Sequence, residues 1–115
     1  MDVIAVDFDG TLSLGEFPQC GPANKRLIEI LKRMMSPNPD YPKCTWFVLW
    51  TSRAGIYLEE AVHWLKSQGL AFDSVNGIPP GVKSFPDTAR KLFADVYIDD
   101  KAISPIEFIK RYCDK

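Results

Sequence analysis

The chain is poor in the features that mark secreted, metal-cluster or membrane proteins. It has three cysteines, an odd number without paired spacing, which predicts free thiols in a reducing compartment rather than a disulfide or zinc framework. No apolar run approaches the roughly 18 residues of a membrane span, and no basic stretch precedes a long apolar one near the start. We therefore expect a cytoplasmic protein without a signal peptide or membrane contact.

Net charge and chain length limit the possible ligands and the number of domains. The formal net charge is −1, so the chain has no broad positive charge that would indicate nucleic-acid binding. A nucleotide or a single phosphate could still be a ligand. The 115 residues suit one domain, 1–115, which should bury about two thirds of its unfolded surface.

Apolar periodicity predicts an α/β fold. Short apolar runs alternate with stretches of helical spacing, an order typical of a mostly parallel sheet with helices on both faces. Residues 76–90 look irregular. The expected strands are 3–7, 45–50, 71–75 and 96–99, and the expected helices are 22–35, 54–68 and 105–112.

Polar residues follow three of these strands. In parallel sheets, ligands bind beyond the carboxyl ends of the strands, so three polar ends that meet at one edge predict a site. The three ends are Asp7 with Asp9, Thr51 with Ser52, and Asp99 with Asp100.

The first pair has the spacing of a catalytic pair. Asp7 and Asp9 lie two residues apart, so in a strand they share one face about 6–7 Å apart. Like charges this close favour a bound cation or a raised pKa. Either outcome suits phosphoryl transfer. Asp7 could attack the phosphorus of a phosphate ester as a nucleophile, with Asp9 as general acid and base.

The acidic residues also predict a metal site. Asp99 would complete an all-oxygen Mg²⁺ site with Asp7 and Asp9, the latter through a backbone carbonyl near that position. Asp100 would bind the ion directly or through water.

Other residues would bind the phosphate. Thr51 or Ser52 can donate a hydroxyl hydrogen bond to a phosphoryl oxygen, or they could simply cap the helix that follows. Arg53 could grip a substrate oxygen or lie in solvent. Gly10 lets the backbone approach the ligand, and Phe8 beside it is assigned to the same set.

The pattern resembles the haloacid dehalogenase superfamily of phosphatases and phosphotransferases. Its D-x-D-G-T motif matches D-F-D-G-T at 7–11, its Thr after an apolar strand matches F-V-L-W-T at 47–51, and its terminal acidic pair matches Y-I-D-D at 97–100. The resemblance covers nearly the whole chain. It implies a three-layer Rossmann-like fold, Mg²⁺ dependence, an Asp7 nucleophile and Asp9 as acid/base.

A lysine should balance the charge at the site. Lys91, a few residues before the last strand, has a placement similar to that in the deoxyribonucleotidase-like branch of the superfamily. Lys83, in the irregular segment, is the rival. Asp95, between Lys91 and that strand, is expected to make a structural contact.

The segments that hold a cap domain in many relatives are short here. The chain is therefore similar to small capless members from bacteria and phages. An open site favours either a bulky substrate or a lid from another subunit of a homo-oligomer. The expected partner is a phosphorylated substrate, a small molecule or a macromolecule.

Other functions remain open. A phosphotransferase would share the first half-reaction. A phosphate-accepting receiver module uses similar residues, but its phosphorylated aspartate ends a later strand. A non-catalytic phosphate-binding or regulatory protein would have lost turnover while keeping the fold.

Overall fold

The computed structural model describes residues 2–40, 43–79 and 91–113. Every predicted helix and strand has a counterpart, with bounds that differ by a few residues. Within the described ranges, no helix is both long and apolar enough to cross a membrane. In chain order the elements are β1 (Asp2–Val6), α1 (Lys25–Met35), β2 (Thr45–Leu49), α2 (Gly55–Ser67), β3 (Ser74–Val75), β4 (Val96–Ile98) and α3 (Pro105–Tyr112).

Side-chain caps decide where two of the helices begin. Asn24 accepts a hydrogen bond from the backbone N–H of Leu27, so α1 starts at Lys25, three residues later than expected. At α3 the hydroxyl of Ser104 accepts from the N–H of Glu107 at 3.1 Å, so this helix starts at Pro105.

The four strands form one all-parallel sheet in the order β3-β2-β1-β4. The chain moves from β1 outward through β2 to β3, and then returns to the other side of β1 for β4. The carboxyl ends of β1 and β4 therefore flank the point where the strand order reverses, which is where open α/β sheets bind ligands.

Both α1 and α2 pack on the same face of the sheet. Their crossovers run in the same direction along the sheet, and two right-handed crossovers of that kind must lie on one side. In the described residues the other face is covered by Leu92 and its neighbours, and α3 has no buried residue, so the expected helices on both faces are not found there. The helix-covered core contains Val6, Phe8, Leu12, Ile28, Leu31, Phe47, Leu49, Ala61, Leu65 and Leu70.

Two aspartates, each directly before an edge strand, extend the hydrogen-bond ladder of the sheet. Asp95 accepts from the N–H of Val3 at 2.7 Å through its carboxylate and donates its own N–H to the carbonyl of Val3. Asp73 does the same with Phe47, at 2.8 Å for both bonds. The structural contact expected for Asp95 is confirmed, and it pairs a strand N–H that has no strand partner.

We predict that Asp95→Ala lowers the free energy of unfolding by about 1–2 kcal/mol, because it leaves the N–H of the buried Val3 without its acceptor. Asp95→Asn keeps an acceptor oxygen and should lose less. Urea unfolding followed by circular dichroism measures both. A loss below about 0.5 kcal/mol for Asp95→Ala, the usual effect of a surface substitution, would contradict this role.

Candidate active site

A cavity of about 510 Å³ opens at the carboxyl ends of β1, β2 and β4. The polar strand ends predicted from the sequence meet there. Its lining combines acidic residues, two residues with hydroxyl groups, a tryptophan and a lysine. The lining residues are Asp7, Asp9, Trp50, Thr51, Ser52, Asp99, Asp100 and Lys101.

Three carboxylates form the floor, and we call Asp7, Asp99 and Asp100 the acidic trio. One oxygen from each lies within 4.8 Å of those of the other two. The pairing of β1 with β4 brings them together, since the N–H of Asp7 donates to the carbonyl of Ile98 at 2.9 Å. Asp99 and Asp100 are thereby held at the same edge of the sheet as Asp7, although they are far from it in the sequence.

Burial, with a smaller effect of the neighbouring carboxylates, changes the ionisation of Asp7. Burial is the largest cause that raises its pKa, and the charge of Asp99 and a hydrogen bond with Asp100 add to it. The N–H of Phe8 and the hydroxyl of Thr11, 3.2 Å away, donate to the Asp7 carboxylate and act in the opposite direction. The result is a pKa of about 6 instead of 3.8.

Neither Gly10 nor Phe8, both assigned to the phosphate-binding set from the sequence, is among the residues that line the cavity. Gly10 has a φ of +81°, and a Cβ there would overlap the Asp100 carboxylate, so its backbone closely approaches Asp100. Its N–H already donates to the carbonyl of Ser13. The Phe8 side chain points away from the cavity, fully buried and edge-on to Trp64 at 5.6 Å between ring centroids.

Asp9 is held by Arg53 and does not belong to the acidic trio. Its carboxylate oxygens accept from Nε and Nη2 of Arg53 at 2.9 and 2.7 Å, whereas the metal ligand expected near this position is a backbone carbonyl. This bond also raises the pKa of Arg53. Arg53 is only 4% exposed, and its other N–H groups donate to the carbonyls of Gln19 and Tyr57 and to the sulfur of Cys20. The sequence left two alternatives for Arg53, a side chain in solvent or one that binds a substrate oxygen. The buried and fully paired guanidinium fits neither of them.

Thr51 is fixed from two sides. Its hydroxyl oxygen accepts from the N–H of Arg53 at 3.1 Å, which leaves the hydroxyl hydrogen to donate into the cavity. Its own N–H donates to the side chain of Asn76, whose φ is 55°. Neither Thr51 nor Ser52 caps α2, because that helix begins at Gly55 without a side-chain cap, and Ser52 is exposed at the cavity.

The lysine at the cavity is not one that the sequence analysis chose. Lys101 lines the cavity, and its N–H donates to Asp99 at 2.8 Å. The Lys91 ammonium instead lies 5.6 Å from the centre of the Tyr97 ring, and Lys91 is not a lining residue. Lys83 is outside the described residues. The position of Lys101 directly after the D-D pair was the available signal.

Fold and cavity together define an α/β protein of Rossmann-like type with an acidic site at the switch point of its sheet. A structure of a conserved protein from Bacteroides thetaiotaomicron is similar to it, with 32% sequence identity and a TM-score of 0.71. The match covers 99% of this chain and 92% of that one. The chain belongs to the same family as that bacterial protein.

No protein-family model matches the chain, and the comparison with curated proteins finds no relative. The family relationship therefore carries no activity with it.

The raised pKa of Asp7 predicts a pH-dependent stability in metal-free protein. The folded state binds the Asp7 proton more tightly, so this contribution is present below about pH 4 and is lost as the pH rises through about 6. Asp7→Asn removes the charge, and we expect it to be more stable than the wild type at pH 7–8. The difference should shrink as the pH falls from about 6 to 4.

Melting temperatures between pH 4 and 8, with a chelator present, measure this difference. Asp2→Asn is the matched control because Asp2 is an exposed carboxylate at the opposite end of β1. An Asp7→Asn difference that stays constant across this pH range would contradict the raised pKa of Asp7.

Proposed function

We propose that the protein is a Mg²⁺-dependent phosphohydrolase of the haloacid dehalogenase type that cleaves phosphate monoesters through an aspartyl phosphate on Asp7. The observation that carries the proposal is the convergence of Asp7 with Asp99 and Asp100, oxygen to oxygen within 4.8 Å. The D-x-D-G-T motif ends the strand that supplies Asp7.

The acidic trio suits magnesium by its chemistry. It offers oxygen ligands only, which hard divalent cations prefer, and the missing side chain at Gly10 makes room for the Asp100 carboxylate. A bound Mg²⁺ would offset the negative charge that the phosphate brings to three carboxylates.

The reaction would proceed in two steps on protein groups. An oxygen of Asp7 bonds to phosphorus while the ester bond breaks, and the departing oxygen takes a proton from Asp9. Water then attacks the aspartyl phosphate and gives a proton to Asp9. The phosphorus–oxygen bond to Asp7 breaks, so the carboxylate is restored and inorganic phosphate leaves.

The cavity walls supply groups that would hold the phosphoryl oxygens. The hydroxyl of Thr51 has its hydrogen available, and Ser52 stands beside it at the rim. Lys101 is the cation of the cavity lining, so we assign it the charge-balancing role.

Open access to the site supports a capless form and a broad choice of substrate size. Only residues 10–24 separate Asp9 from α1, too few for a domain. The substrate class is then a phosphorylated small molecule or macromolecule. A phosphotransferase would use the same first step, with another hydroxyl in place of water.

The proposal predicts phosphate release from an aryl phosphate that requires both Mg²⁺ and Asp7. Asp7→Asn should lower turnover by on the order of 10⁴-fold or more, the cost of removing a nucleophile. Asp2→Asn, at the other end of the same strand, should retain wild-type turnover.

Three outcomes would favour other functions. Transfer of phosphate to added alcohols in place of release would identify a phosphotransferase. A phosphoprotein stable for hours would identify a receiver-like module. Tight phosphate binding without Asp7-dependent turnover, over a broad panel of monoesters, would contradict catalysis.

The assignment of Lys101 makes a separate prediction. Lys101→Ala should lower kcat by about 10²-fold, because under this assignment it removes the cation that balances the developing charge. Lys91→Ala and Lys83→Ala are measured beside it, with the exposed Lys66→Ala on α2 as control. A larger loss for Lys91→Ala than for Lys101→Ala would overturn the assignment.

A further inference from the structure

Arg53 and Asp9 form a bidentate ion pair beside the cavity. Two parallel N–H···O bonds of 2.9 and 2.7 Å join them, the fork geometry in which guanidinium and carboxylate bind most strongly. The Arg53 side chain is 1% exposed, while that of Asp9 is 28% exposed and reaches the cavity. A buried cation thus holds a carboxylate that faces the site.

Every N–H of the guanidinium has a partner. Nε and one Nη2 hydrogen go to Asp9, the second Nη2 hydrogen to the carbonyl of Gln19 at 3.0 Å, and Nη1 to the carbonyl of Tyr57 at 3.2 Å and to Cys20 Sγ at 3.7 Å. Five donors with five acceptors leave one favourable orientation, because turning the group would bury unpaired donors.

Aromatic rings support the same orientation from the side. The guanidinium carbon lies 4.6 Å from the centre of the Phe8 ring and 5.0 Å from that of Phe17. Phe17 itself packs against Tyr57 at 5.0 Å. Arg53 therefore joins the loop of residues 10–24 to α2 beneath Asp9.

We propose that Arg53 is a positioning residue that aims the Asp9 carboxylate at the leaving oxygen and at the attacking water. A carboxylate has about four lone-pair sites, and Arg53 occupies one on each oxygen, so acceptor and proton-carrying positions remain toward the cavity. The proposal rests on the proposed function, because it acts through the acid/base role of Asp9. It also explains why a residue beside the phosphate-binding Thr51 has no donor left for substrate.

The kinetic test compares two substrates on each variant. An alkyl phosphate needs a proton on its leaving oxygen, whereas a nitrophenyl phosphate releases a stable anion without one. Arg53→Lys cannot form the fork, and Arg53→Met removes the charge as well. We expect kcat/KM for the alkyl phosphate to fall by on the order of 10²-fold. The loss for the aryl phosphate should be smaller by a factor of at least about ten.

Comparing two substrates on one preparation cancels any loss of folded protein. In an Asp9→Asn background the substrate-dependent part of the loss should disappear. Arg26→Met, an exposed arginine on α1, should leave both substrates unaffected. Equal losses for both substrates would overturn the positioning role and leave Arg53 as a purely structural residue.

Nuclear magnetic resonance separates this proposal from the proposed function. The Nε–H of Arg53 should give a slowly exchanging signal in the wild type, which shifts or exchanges faster in Asp9→Asn and persists in Asp7→Asn. Absence of that signal overturns the positioning proposal directly. If the signal persists but the protein shows no Asp7-dependent turnover, the proposed function is wrong. The ion pair of Arg53 with Asp9 then has no catalytic role.

Discussion

The crowding of three carboxylates at the switch point is the constraint on which the rest of the site depends. Pairing of β1 with β4 holds Asp7 beside Asp99 and Asp100, and the pKa of Asp7 rises to about 6. Like charges in a partly buried place oppose folding, so a cation or a proton is needed to relieve them. A fold that maintains this arrangement gives up some stability at the carboxyl ends of β1 and β4.

Aspartates perform three different tasks in this chain, and their place along the strands decides which. At the amino ends, Asp73 and Asp95 accept strand N–H groups that lack a partner. At the carboxyl ends, Asp7 belongs to the crowded trio. Asp9, two residues further on, is neutralised by the buried Arg53. The same type of side chain thus accepts strand N–H groups, belongs to a cluster of carboxylates or forms half of an ion pair.

Connectivity explains how much of the fold prediction is confirmed in the described residues. The alternation of strands and helices identified a parallel sheet, and its reversal at β1 placed the site where open α/β sheets bind ligands. Helices on both faces were expected, but α1 and α2 share one face because their crossovers run in the same direction. Sequence periodicity marks an apolar stripe without saying which face of the sheet it covers.

The sequence by itself determined the elements and the acidic strand ends, because apolar periodicity is local and parallel strands share one carboxyl edge. Only the tertiary structure decided which side chains meet there. It paired Asp9 with Arg53 across 44 positions, and it placed Lys101 in the cavity and Lys91 over a tyrosine ring. These contacts join residues from different elements, so their geometry depends on packing that local spacing does not encode.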